Sequence, residues 1–440
     1  MAAHDPRELP PAARVAVEHF PAVFGTDTGL LEERPVLGVA WAPGRVNLIG
    51  EHTDYNEGFV LPLAVDRAVA FAGRGRSDGR VRLWSRQFQE MAEIELENLP
   101  TTFTAQAAQL PPWARYVLAV LSELKAAGLK LRGFSAVLHG DVPLGGGMSS
   151  SAALEVATAW AAALFSNGGG TIGEAAEAST SAWLQPLEVA RLCQQAEHLA
   201  SGVRCGILDQ AASCLGRPGQ ALLLDCRSLE FRYLPFASER VALLVADTHV
   251  RRELAASAYN ERRQQCEEAA RLLAELVQAE AGQASESRAS EPRIRSLRDV
   301  TPELFARYAS RLPEVLRRRA AYVVAENERV LTVARLLESG DIEAVGPYLW
   351  QTHEGLRDQY EVSCLELDTL VEIARQVDGV LGARMMGGGF GGCTINLVRT
   401  AAVEPLTEAI LSEYPRRTGR QASVEVCRAA GGPGAVFLPA

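Results

Sequence analysis

Residues 140 to 157 read GDVPLGGGMSSSAALEVA, and they follow directly on GFSAVLHG, which alternates like a strand. Strand, glycine turn and helix therefore succeed one another here. Gly145, Gly146 and Gly147 let consecutive backbone N–H groups turn inward and form an anion-binding nest. After Met148, the serines Ser149, Ser150 and Ser151 open an alanine-rich helix. Its N-terminus adds unpaired N–H groups and the positive end of a dipole. A serine hydroxyl in that place also suits Mg²⁺, as the P-loop Ser/Thr does. A plain helix cap after a tight turn accounts for one serine, but not for three serines and three glycines. Phosphate is the expected occupant. No Gly-Lys-Ser/Thr occurs, so the loop is not a Walker A.

Upstream, residues 44 to 55 read GRVNLIGEHTDY. Glu51, His52, Asp54 and Tyr55 fall within five residues, and Arg45 and Asn47 precede them. A core strand does not tolerate this density of ionisable groups without partners, so by itself the stretch reads as a solvated loop. The apolar, β-branched runs at 36–49 and 59–72 suggest paired strands. Residues 113–127 have helical periodicity and end at Gly128. Residues 166–186 hold a glycine triplet and a Ser/Thr cluster, the signature of a surface insertion.

A helix (PLEVARLCQQAEHLA) then leads to a loop holding RCGILDQ and to the strands QALLLDC and VALLVAD. Residues 279–299, polar and serine-rich, are expected to form a flexible excursion. Helices are expected at 320–338 and 365–377, followed by strand, glycine turn and strand in GVLGARMMGGGFGGCTINLV. The cluster GGGFGG at 387–392 contains G-x-G-x-x-G, but a β-branched run follows it, not a helix. A dinucleotide site is thereby excluded, and packing and catalytic roles stay equally open.

At 440 residues the chain suggests two domains, divided here as 1–230 and 231–440. A net charge of −10 argues against nucleic acid and acidic membranes as partners. The first residues, MAAHDPRELPPAARVAVEHF, lack an apolar core and do not read as a signal peptide. The run ATAWAAALF is too short to span a bilayer. The eight cysteines include no C-x-x-C pair and read as free thiols, mostly buried, of a cytoplasmic protein. Phosphoryl transfer needs a carboxylate at the attacking hydroxyl and a cation beside the moving charge. Asp209 and Arg45 are the candidates, with Glu197 as a second Mg²⁺ ligand, although spacing alone favours an exposed helical acid for Glu197.

APGRVNLIGEHTDYNEGFVLPLAV, GDVPLGGGMSSSAALEV, CGILDQ and GGGFGGCTI together resemble the galactokinases. That family belongs to the kinase superfamily named for galactokinase, homoserine kinase, mevalonate kinase and phosphomevalonate kinase. The resemblance implies an α+β fold of two domains. The N-terminal one is like ribosomal protein S5 domain 2, the C-terminal one is ferredoxin-like, and the active site lies in the cleft between them. It implies ATP and Mg²⁺ as cofactors, D-galactose as substrate and a monomer as the working form. By the resemblance, Asp209 is the catalytic carboxylate and Arg45 sits beside it. Glu51, His52, Asp54, Gly206 and Tyr259 match sugar contacts, with Asp54 toward C3 and C4 and the Glu51–His52 pair toward C6. Residues Gly145 to Ser151 match the nucleotide phosphate loop, Ser151 and Glu197 the Mg²⁺ positions, and Ser85 and Trp113 the surroundings of the base. Met148 departs from the family's commoner leucine, a volume-conserving change. Two rivals are a kinase of N-acetylgalactosamine or a pentose, and a non-catalytic galactose sensor. The sensor is disfavoured by the intact serine loop together with Arg45, Asp209 and Glu197.

Overall fold

In the computed structural model the two apolar stretches at the head of the chain pair as expected. The structure describes residues 8–27, 29–31, 36–99, 105–166, 185–236, 239–251, 255–281 and 293–438. Its strands are β1 (Gly38–Asn47), β2 (Phe59–Val60), β3 (Pro62–Gly75), β4 (Arg80–Ser85), β5 (Glu90–Glu95), β6 (Phe134–Gly140) and β7 (Gln220–Asp225). There follow β8 (Phe231–Pro235), β9 (Val241–Asp247), β10 (Val380–Met385), β11 (Cys393–Arg399), β12 (Ser423–Cys427) and β13 (Gly434–Phe437).

The first sheet runs β13-β1-β3-β6-β4-β5, antiparallel except where β4 lies parallel to β6. Successive side chains of a strand face opposite sides, and both sides here are apolar. Val39, Ala70, Ala72 and Val137 meet Ala16, Phe20 and Phe24 of the helix Pro11–Phe24. Ala40, Phe71, Ala136 and Leu138 face the helices Pro112–Ala126 and Ser150–Ser166. The helix Ser150–Ser166 is buried from Ala152 to Phe165, and its alanines let neighbouring backbone approach on every side.

The second sheet runs β10-β11-β9-β12, all antiparallel. Counted along the chain, its strand order is 2-3-1-4, the split β-α-β pattern of a ferredoxin-like layer. The helices Leu365–Arg375 and Val403–Thr418 cover one face through Leu370, Ile373, Leu406 and Ile410. Leu243, Val245, Ile395 and Leu397 on the other face join the large core of the first sheet. A small third sheet, β2-β7-β8, adjoins it. The chain is α+β with two domains.

Some local expectations need correction. RCGILDQ is not all loop, because Leu208 already begins the helix Leu208–Leu215 and Asp209 lies in its first turn. The two ends of the expected excursion at 279–299 are ordered, and residues 282–292 lie outside the described residues. Residues 279–281 finish a helix, and Ser296–Asp299 form a capping box over the buried Leu297. Asp299 there holds Arg227 at 2.6 Å. The expected insertion at 166–186 falls almost entirely outside the described residues. All eight cysteines are free and six are buried. Among the described residues no helix is long and apolar enough to cross a membrane.

Candidate active site

β1 slips register between Pro43 and Arg45, and a bulge of this kind re-aims the side chain beside it. The Arg45 N–H donates to the Met148 carbonyl at 3.1 Å, and its Nη1 donates to the Gly147 carbonyl. Its Nε and Nη2 donate to Asp209 Oδ1 at 2.8 and 2.5 Å. Ser149 donates to Asp209 Oδ2 at 2.5 Å. One arginine thus ties the opening motif, the glycine-serine loop and the first turn of the helix Leu208–Leu215 together. Ser213 of that helix donates to the Pro43 carbonyl at 2.7 Å and fixes the helix on β1.

The solvated-loop reading of residues 44–55 does not hold. Arg45, Asn47, Glu51, His52 and Thr53 are all buried. The charges of Arg45 and Glu51 are tolerated because partners arrive from far along the chain. Glu51 Oε1 accepts from Arg384 Nη1 and from the Gly387 N–H, both at 2.9 Å. Arg384, fully buried, also donates to the carbonyls of Asn47 and Leu48. Burial pushes the Glu51 carboxyl up, but Arg384, then Arg45 and the Gly387 N–H, outweigh it and hold the group below its usual range.

His52 adopts a left-handed φ of 61°, an uncommon conformation outside glycine that tends to cluster at functional sites. Burial pushes its pKa down to about 4, so the ring is neutral at pH 7. Burial, reinforced by the charge of Asp209, pushes Asp54 up to about 6. The Asp54 carboxylate lies directly over Gly206, where a β-carbon would overlap it.

These groups converge on a cavity of about 200 Å³ lined by Arg45, Glu51, His52, Asp54, Gly206, Asp209 and Tyr259, with Ser151 and Glu197 at its side. A second, mainly apolar cavity of about 430 Å³ is bounded by Phe88, Trp113, Leu144, Gly145, Ser150 and Ser151. Ser151 lines both. Phe88 and Trp113 hold their rings parallel within 1°, with centroids 6.5 Å apart. Ser85 does not reach this cavity. It is fully buried, and its hydroxyl accepts from the Phe88 N–H at 3.5 Å. A larger hollow of about 700 Å³ lies between β9, β12 and Thr400–Glu404, apart from every one of these groups.

Glu197 is buried, not the exposed acid that its spacing favours. It lies near Glu155, whose carboxyl burial and the neighbouring Glu197 push well above the usual range. Gln210 donates to Glu155 at 2.9 Å. No group of three or more metal-ligating side chains occurs among the described residues.

The late glycine cluster packs backbone against backbone on the glycine-serine loop. A β-carbon on Gly147, whose φ is 77°, would sit 2.9 Å from the Met386 carbonyl, and one on Gly387 would sit 3.1 Å from Gly147 Cα. Gly387 and Gly388 also line the smaller cavity, so the cluster serves packing and site together. Sequence reasoning missed Arg384, Glu155 and Phe88. The signal for Arg384 is a single charge within the apolar segment GVLGARMM, which demands a partner when buried.

Comparison with known proteins agrees with this geometry. The galactokinase galactose-binding signature matches residues 20–75, and the N- and C-terminal domains of GHMP kinases match 115–217 and 333–416. A galactokinase of Roseiflexus sp. (strain RS-1) is 41% identical over 419 residues, 93% of this chain and 98% of that relative. The Homo sapiens galactokinase is 42% identical over 382 residues, 86% of this chain and 88% of that protein. The crystal structure of Lactococcus lactis galactokinase complexed with galactose superposes with a TM-score of 0.80 at 32% identity. That match covers 95% of this chain and 98% of the other. Methanococcus jannaschii mevalonate kinase, at 17% identity and a TM-score of 0.58, shares the fold. With the signature, both kinase domains and near full-length relatives in agreement, this chain belongs to the galactokinase family.

Proposed function

We propose that the chain transfers the γ-phosphoryl group of ATP to the C1 hydroxyl of D-galactose, in a reaction that requires Mg²⁺. ATP use follows from membership of a kinase family. The observation that carries the reading is the meeting of the two cavities at Ser151, a polar cavity suited to a polyol and an apolar one suited to a flat heterocycle. The sugar lies in the first, the adenine between Phe88 and Trp113, and the phosphates along Gly145–Ser151.

Asp209, held by Arg45 and Ser149, accepts a hydrogen bond from the attacking C1 hydroxyl and receives its proton as the new O–P bond forms and the bond from the γ-phosphorus to the bridging oxygen breaks, releasing ADP. Arg45 stands beside the charge that develops. Ser151 and Glu197 would hold Mg²⁺, which supplies charge neutralisation at the phosphates. The residues fit it. The Ser151 hydroxyl and the Glu197 carboxyl line one cavity, and Mg²⁺ ordinarily takes only one or two protein oxygens beside phosphate and water.

Asp54, toward C3 and C4, would refuse glucose, because a buried acceptor left without its hydroxyl discriminates by about 10⁴. A coupled ADP-release assay over galactose, glucose and N-acetylgalactosamine tests the whole reading. Galactose-dependent ADP release with weak glucose turnover is expected. Binding of galactose without ADP release would overturn it. In the same assay Glu197→Ala is expected to raise the Mg²⁺ requirement about tenfold or more, and an unchanged Mg²⁺ titration would remove Glu197 from the ligand set.

Asp54 also sets a pH dependence. Its carboxyl is ionised above about pH 6 and protonated below, where it ceases to be a pure acceptor. The kcat/KM for galactose, which reports the free enzyme, is therefore expected to fall as pH drops through about 6. Asp54→Asn should abolish that acid limb at a much lower plateau, and a limb that survives in the variant assigns it to another group. The division at 1–230 and 231–440, the monomeric state and a cytoplasmic location belong to the same proposal.

A further inference from the structure

Behind the smaller cavity a chain of buried hydrogen-bonding groups runs away from His52. His52 Nδ1 lies 2.9 Å from the Tyr55 hydroxyl, which lies 2.7 Å from the Tyr360 hydroxyl, which lies 3.1 Å from Cys266 Sγ. The chain is fixed at each member. His52 is on left-handed backbone, and Tyr360 ends a π-helical turn, Gly355–Tyr360, of a kind common at functional sites. Arg262 donates to the Tyr360 carbonyl at 2.8 Å. The rings of His52 and Tyr360 are 4.9 Å apart, and those of Tyr322 and Tyr360 are 4.8 Å apart.

Two proton orders satisfy such a chain, and they leave His52 in opposite tautomers. In one, the thiol donates to Tyr360, Tyr360 to Tyr55 and Tyr55 to His52 Nδ1, so the ring proton sits on Nε2. In the other the order reverses and ends on sulfur. Acceptor strength selects the first. An imidazole nitrogen is a good acceptor, whereas sulfur is a weak one. Nε2 itself is buried without a hydrogen-bond partner, and His52 lines the cavity.

We propose that Cys266, Tyr360 and Tyr55 are positioning residues that lock His52 as the Nε2–H tautomer and make it a hydrogen-bond donor to a sugar oxygen. The inference rests on the reading of the cavity as a hexose site. It assigns a function to three side chains that touch neither sugar nor nucleotide. It also gives the polyol pocket a neutral donor among Glu51, Asp54 and Asp209, whose carboxylates accept.

The test uses the full chain labelled with ¹⁵N-histidine, with His52→Gln identifying the resonance. Without sugar, wild-type His52 is expected to show a protonated Nε2 and a hydrogen-bonded, unprotonated Nδ1. Tyr55→Phe should mix the two tautomers and raise the galactose KM about tenfold while kcat stays within twofold, a split that loss of folded protein does not produce. Cys266→Ser replaces the weak donor with a stronger one and should keep both tautomer and KM. A wild-type ring protonated on Nδ1 overturns the proposal, as does a Tyr55→Phe variant with unchanged tautomer or unchanged KM. Failure of the hexose reading is recognised separately, because the wild-type chain would then phosphorylate no galactose.

Discussion

Asp209→Asn is expected to lower kcat about 10³-fold while galactose binding stays within a few-fold of the unmodified chain. The substitution keeps shape and one oxygen for Arg45, but it removes the negative charge and the group that takes the proton. It also turns an amide toward Ser149, where the carboxylate now accepts at 2.5 Å. Steady-state kinetics paired with calorimetric titration of galactose separates the two effects. A variant whose kcat stays within tenfold would sink the assignment. Arg45→Ala is expected to lose kcat as well, and the double variant should lose little beyond the worse single one, because two donors of one guanidinium and one carboxylate oxygen act as a unit.

Gly206→Ala should have nearly as large an effect, by a different route. The φ of Gly206 lies outside the left-handed region, so alanine is acceptable to the backbone. Its β-carbon, however, would occupy the space of the Asp54 carboxylate, which must leave its place over Gly206 for alanine to fit. A drop of about 10²–10³ in kcat/KM for galactose is expected, carried mostly by KM. Adding Asp54→Ala removes the overlap and should restore the melting temperature without restoring activity. A Gly206→Ala chain with ordinary galactose kinetics would show that Asp54 moves freely and does not read the sugar.

What was legible in the sequence was local. The β1–β3 pair follows from β-branched alternation, and the strand, glycine turn and serine helix around residue 147 follow from adjacent residues. The turn at Gly145–Gly147 was likewise readable because its glycines and the serines after it are consecutive. Arg384 was not, because its partner Glu51 stands 333 residues away and nothing in either neighbourhood names the other. The helix carrying Asp209 spans only Leu208–Leu215 and has no side-chain cap, so its start left no signal. β5, EMAEIE, alternates but carries three glutamates and sits at the sheet edge, where charge is normal and apolar pattern faint. Glu197 defeated spacing arguments for the same reason as Arg384, since its burial comes from elements distant in sequence.

The last strand, β13, pairs with β1, so the sheet that bears Arg45 is edged by residues 434–437. A nascent chain synthesised from its N-terminus holds every proposed site residue once Gly388 has been added, yet the outer side of β1 is still an unpaired edge. Such edges invite pairing with other chains. The risk lasts until residue 437 clears the ribosome, long after the segment holding Arg45 has emerged, and this leaves a window in which a chaperone or premature pairing competes for the place of β13.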